Sequence, residues 1–212
     1  MLKHKSVTSV DHVDLDSSVV SVCKKYFSWG SAWDDPRVTL HVSDGARFAA
    51  EAPSGQYDVI VQDSSDPHTW DDEGNIVTLP SSILYGRDHF GELHRILRPG
   101  GVLNFQAETF NIPSDIDGIS KWRSQLLQLG YDSARYGSVY VSSYPTGQIG
   151  FMLCRKKVEK EGRADPTAED VRSRFREMTE AGKETTYYQP KLQDSSFDLP
   201  LWVERKVYGE DR

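Results

Sequence analysis

Apolar runs at strand spacing alternate along this chain with segments at helical spacing, and that alternation constrains its architecture more than any other feature. Residues 9–16 (SVDHVDLD) read as a strand that stops at acids. Residues 17–27 follow at helical spacing, with Val19, Val22, Cys23, Tyr26 and Phe27 on the apolar side and serines able to cap the start. Residues 37–44 alternate Val38, Leu40 and Val42, a strand pattern; residues 46–52 are a short helical piece; residues 57–62 are a continuous apolar strand. Residues 83–97 are amphipathic and are stopped by Arg98-Pro99-Gly100-Gly101. A strand over 102–106, a helix over 119–129 ended by Gly130, and a closing strand pair, 138–143 and 149–154, complete the pattern. Strands alternating with helices predict an α/β fold whose mostly parallel sheet carries helices on both faces, here with an antiparallel closing pair. Residues 1–156 make up that domain. Residues 157–212 are read as a linker (156–166 is polar and charged) and a helical extension of the same domain, with helices over 168–181, capped by Thr167, and 200–208.

In such sheets ligands bind beyond the carboxyl ends of the strands. Three strands end in acid, at Asp14 and Asp16, at Asp44, and at Asp63, so these carboxylates are expected on one rim. Each has a plain alternative. Asp14 can accept hydrogen bonds from ribose hydroxyls or can cap the following helix, for which Asp16 is better placed. Asp44-Gly45 can meet an exocyclic amine or be an ordinary turn. Asp63 and Asp66 flank Ser64-Ser65, which suits a turn, yet two carboxylates this close can also hold an ammonium group while one takes a proton from an amine.

Composition narrows the partners. The chain has 212 residues and a net charge of −7, which argues against nucleic acid and is compatible with a cationic substrate. No apolar run approaches the ~20 residues of a membrane span. The N-terminal MLKHKSVTSV lacks an apolar leader core, which predicts a cytoplasmic protein. Cys23 and Cys154 read as reduced core thiols, and His89 and His94, five apart, share no helix face, so no metal site is expected. Residues 69–78 (TWDDEGNIVT) read as an exposed hairpin or loop inserted after Asp66.

The stretches YDVIVQDSSDP (57–67) and YPTGQIGFMLC (144–154) resemble the spermidine/spermine synthase family, the aminopropyltransferases. VDLD at 13–16, HVSDG at 41–45, Leu79-Pro80, NFQAE at 104–108 and TYYQPKLQDSSFDLP at 186–200 extend the likeness from about residue 6 to about residue 208. The resemblance implies a Rossmann-like, class I methyltransferase-like sheet. It implies transfer of an aminopropyl group from decarboxylated S-adenosylmethionine, a co-substrate, to a polyamine such as putrescine, with release of methylthioadenosine. No resident cofactor and no metal are implied. By position, Asp63 matches the base on the attacking amine, Asp66 the acid at the acceptor's other ammonium, Tyr144 the tyrosine near the attacking nitrogen, and Gln106 a glutamine of the acceptor channel. Asp14 matches the ribose acid, one methylene shorter than the family's usual Glu. Asp44 and Gly45 match the pair at the adenine amine, and Pro80 a proline beside the adenine.

The family carries a small N-terminal β domain and a first strand with a Gly-rich loop. The chain starts at a position that corresponds to the helix after that loop, so the first strand, the β domain and part of each substrate pocket are expected to be missing. The full-length member is expected as a homodimer, with polyamine and adenosyl-sulfonium partners and neither nucleic acid nor membrane. Spermine synthase and putrescine N-methyltransferase use the same scaffold and are the alternatives, together with a non-catalytic binding or regulatory paralogue. The 69–78 insertion sits where the family's loop covers the site and is expected to alter the acceptor length that is preferred.

Overall fold

A computed structural model of the chain describes residues 1–27, 32–158, 167–180 and 185–209. The first strand, β1 (Val10–Asp14), leads into α1 (Ser17–Tyr26), and β2 (Val38–Val42) leads into α2 (Gly45–Glu51). The apolar run forms β3 (Tyr57–Gln62), and the insertion after Asp66 is an antiparallel hairpin of β4 (His68–Trp70) and β5 (Ile76–Thr78). A 3-10 helix (Pro80–Tyr85), α3 (Arg87–Ile96), β6 (Leu97–Gln106), α4 (Pro113–Gln128), β7 (Tyr131–Tyr140) and β8 (Gln148–Lys156) follow. The extension holds α5 (Ala168–Glu180), α6 (Pro190–Ser195) and α7 (Leu201–Tyr208).

The α/β class holds, and the sheet is mixed. β3 and β6 pair in parallel, then β8 and β7 close the edge antiparallel, in the order β3-β6-β8-β7. β1 and β2 pair in parallel as a separate two-stranded sheet, where the sequence pattern predicts one continuous sheet. No described strand occupies the second edge of β3. The two sheets meet instead through side chains: the Tyr57 hydroxyl of β3 donates to Asp11 Oδ2 of β1 at 2.9 Å, and His41 of β2 steadies Asp11 from within its own sheet, 2.8 Å from Oδ1.

Period-two alternation places the core. Leu103 and Phe105 on β6 stand opposite Cys154 and Met152 on β8, which stand opposite Ala134 and Tyr136 on β7. All six are buried on one face, under Ile116, Ile119, Trp122 and Leu126 of α4, with Val203 and Val207 of α7 in the same cluster. Phe105 packs within 5.0 Å of Phe90 and 6.1 Å of Trp122, ring centre to ring centre.

Several expected boundaries differ, each for a local reason. The helix expected over 83–97 divides at Gly86, whose extended backbone ends the 3-10 helix and starts α3. The Arg98–Gly101 stretch is not a loop but part of β6, because Leu97 already pairs with Tyr57. β7 begins seven residues before the expected 138, since its exposed side is polar and breaks the sequence pattern without breaking the ladder. α6, only six residues long, gives no period to read. Cys154 is buried as expected, and burial pushes its thiol up; Cys23 is only half-buried and is not a core residue. On α1, Val20 is the buried apolar residue, and Val19, Val22, Tyr26 and Phe27 lie exposed. The expected linker falls mostly outside the described residues, as does Ala181 at the end of the predicted helix.

Candidate active site

The carboxyl ends of β1 and β2 carry the first group of predicted residues. Asp16 is the helix cap: its Oδ1 accepts from Ser18 N at 2.7 Å, while Asp14 Oδ1 accepts from Asp16 N at 2.8 Å. Asp14 is thereby held at the strand end without being spent as the cap. The Asp14 carbonyl accepts from Ser43 N at 2.9 Å, which brings Asp44 alongside. Asp44 caps α2, its Oδ1 accepting from Arg47 N at 2.9 Å, so one carboxylate oxygen is committed to the helix. Gly45 opens α2 opposite the 3-10 helix that starts at Pro80: a Cβ on Gly45 would lie 4.0 Å from Leu84 Cδ2. Asp14, Asp44 and Gly45 therefore border one region, with Leu84 of the 3-10 helix against Gly45.

The second group sits at the ends of β3 and β6, and a chain of hydrogen bonds fixes it. His89, buried on α3, meets Gln62 Oε1 at 3.1 Å; Gln62 Nε2 donates to Leu84 O at 3.0 Å and to Ser64 Oγ at 3.4 Å. Burial lowers the pKa of the His89 imidazole, and a hydrogen on its Nε2 is what the Gln62 Oε1 acceptor calls for. Ser64 Oγ pairs with the Tyr85 hydroxyl at 3.2 Å; that hydroxyl donates to Gln106 Oε1 at 2.7 Å; Gln106 Nε2 donates to Asp66 Oδ1 at 3.3 Å. A path of polar groups thus runs from α3 to Asp66. Asp63 and Asp66 are exposed, with Pro67 buried behind them. The Tyr144 hydroxyl stands within electrostatic reach: its pKa is raised by partial burial and by the charges of Asp66, Asp63 and Glu108. The fold brings Asp63, Asp66, Gln106 and Tyr144 together.

Three site residues escaped the sequence reading. Glu108 is buried two residues beyond Gln106, with its Oε1 unpaired and its backbone at φ 58°, a left-handed conformation that costs a non-glycine residue on the order of 1–3 kcal/mol. Burial, reinforced by the charges of Asp66 and Asp115, pushes its carboxyl up to about 7. Asp115, in the first turn of α4, is almost fully buried and lies 3.3 Å from His68 of the hairpin. Glu108 stands in the quoted NFQAE stretch, but nothing in an alternating pattern marks a residue whose backbone leaves the strand region. The His68–Asp115 contact spans 47 residues and has no local signal. Among the described residues no group of three or more His, Cys, Asp or Glu side chains is arranged to hold a metal ion.

This arrangement suits a small, cationic, amine-bearing ligand. Three carboxyl groups converge with a phenol and an amide, and the buried one is poised to ionise when a positive charge arrives. The model of the spermine/spermidine synthase domain matches residues 1–163. The chain belongs to the spermine/spermidine synthase family. Spermidine synthase 1 of Hyoscyamus niger is 33% identical over 216 residues, which cover 99% of this chain and 62% of that protein. Putrescine N-methyltransferase 1 of Nicotiana tabacum is 39% identical over 155 residues, 73% of this chain and 38% of that protein. The chain thus spans less than two thirds of the length of these family members. A crystal structure of a spermidine synthase in complex with the transition state analogue AdoDATO superposes with a TM-score of 0.77 at 23% identity, covering 97% of this chain and 63% of that one. That likeness extends the shared fold beyond the matched domain to α7.

Proposed function

We propose that this chain carries the catalytic core of a polyamine aminopropyltransferase of the spermidine synthase kind. It would transfer an aminopropyl group from decarboxylated S-adenosylmethionine to putrescine and release methylthioadenosine. The observation that carries the reading is the convergence of Asp63, Asp66, Gln106 and Tyr144 at the ends of β3 and β6, beside a donor border of Asp14, Asp44, Gly45 and Pro80. An aliphatic amine resembles lysine, with a pKa of about 10.4, and is protonated near neutral pH. A protonated amine cannot attack carbon. Asp63 takes the proton and the freed nitrogen pair forms a bond to the propyl carbon. The carbon–sulfur bond breaks, its electrons pass to the sulfonium, and methylthioadenosine leaves neutral. Asp66 holds the second ammonium, and Tyr144 orients the attacking nitrogen. The sulfonium already activates the carbon, so alignment supplies most of the remaining help. Asp14 and Asp44 would take the ribose and the adenine amine, with Pro80 against the base.

The test is release of methylthioadenosine from the donor in the presence of putrescine. Asp63→Asn is expected to lower turnover by roughly 10²–10⁴; a loss under tenfold would remove Asp63 as the base. A second reading is favoured by the 39% identity to a putrescine N-methyltransferase. There the amine chemistry is unchanged and the donor keeps its carboxylate. A cytoplasmic setting and a homodimer belong to the same proposal.

A further inference from the structure

Asp115 poses a problem that the amine chemistry does not absorb. Its side chain is 1% exposed, at the first turn of α4, and an isolated buried carboxylate is costly. Its hydrogen-bonding partner comes from the inserted hairpin: His68 Nε2 lies 3.3 Å from Asp115 Oδ1, with Ser114 Oγ also at 3.3 Å. His68 is itself pinned edge-on to Trp70, ring centres 5.1 Å apart. The neck of the hairpin is closed on the other side, where Leu79 N donates to Pro67 O at 3.0 Å and Ser81 Oγ donates to Asp66 O at 2.5 Å. Asp66 is therefore held from three directions: its backbone by Ser81, its side chain by Gln106, and the residues just after it by His68 on Asp115.

We infer that His68 and Asp115 form a latch that seats the β4–β5 hairpin on α4 and positions Asp66 for the ammonium end of the acceptor. The two are positioning residues: neither replaces Asp63 or Asp66, and they act through where Asp66 stands. The inference rests on the aminopropyltransferase reading for the identity of the ligand, a linear diamine, but not for the latch itself. The other titratable groups that act on or are acted on by Asp115 include Asp66 and Glu108, both acidic. The hairpin thus supplies a hydrogen-bonding partner to a buried acid beside a site of like charge.

The experiment compares the full chain with His68→Gln and Asp115→Asn, and with Glu73→Gln at the exposed hairpin tip as a control. Hydrogen exchange of the hairpin amides is read alongside calorimetric titration with putrescine. Breaking the hydrogen bond to the buried Asp115 should weaken the diamine about tenfold and raise exchange across 68–78, while the control matches the native chain. His68→Gln, which keeps a neutral donor, should retain more affinity than Asp115→Asn retains. Unchanged hairpin exchange in both variants overturns the latch. Raised exchange with undiminished putrescine affinity overturns the positioning of Asp66. A native chain that binds no putrescine would instead count against the proposed activity, and the exchange comparison would still decide the latch.

Discussion

Two residues beside the acids show how tightly the site is built. A Cβ on Gly150 would collide with the Tyr136 hydroxyl and with the Glu108 carbonyl, and both already bond there: Gly150 N donates to Glu108 O at 2.8 Å and Tyr136 OH donates to it at 2.9 Å. Gly150→Ala should therefore displace the backbone that carries Glu108 and lower stability by about 1–3 kcal/mol, read from denaturant midpoints at constant slope. Glu108 adds a pH signature. Its carboxyl sits at about 7 in the fold against 4.5 for a free side chain, so the folded state holds the proton more tightly. Its contribution is present below pH 4.5 and is lost as the pH rises through 7. Compared with Glu108→Gln, the native chain should lose up to about 3 kcal/mol across that window, measured as paired unfolding curves. At the residue scale the strand-terminal acids Asp14, Asp44 and Asp63 were legible because an apolar run that stops at a carboxylate is conspicuous, although β1, β2 and β3 carry no buried residue. Glu108 and Asp115 were not, because burial of an acid depends on what folds over it.

Elements carry the joint between the two sheets. β1 and β2 share no backbone ladder with β3, so besides the Tyr57–Asp11 hydrogen bond their attachment falls to α2 and α3. Arg95 of α3 makes that joint: its guanidinium donates to the carbonyls of Ala49 and Ala52 at 2.8 Å and Ala50 at 3.0 Å, the unsatisfied end of α2, while Glu92 steadies Nε at 2.7 Å. Arg95→Met keeps the stem and removes the fork. It should cost about 1–3 kcal/mol and raise amide exchange in α2 and β2 before the β3–β6–β8–β7 sheet responds. Uniform loosening of both sheets would show that the joint lies elsewhere. The helical and strand periods located α1, β2, α2 and β3 to within two residues, and the insertion, expected as a hairpin or loop, is a hairpin. What period alone could not show was the break between sheets. Period reports which face of a strand is apolar, and pairing at its edges leaves no mark on it.

Across the whole molecule, Asp63, Asp66 and Gln106 stand at the ends of β3 and β6, and Asp14 and Asp44 at the ends of β1 and β2. On the proposed reading the acceptor is a diamine, and the donor decides the reaction. The decisive measurement gives the chain putrescine with decarboxylated S-adenosylmethionine and S-adenosylmethionine together and identifies the product by mass. The account predicts spermidine and methylthioadenosine, both lost in Asp63→Asn. N-methylputrescine would contradict the aminopropyl transfer while keeping the acceptor site, and absence of any product from a folded chain would contradict the catalytic reading as a whole.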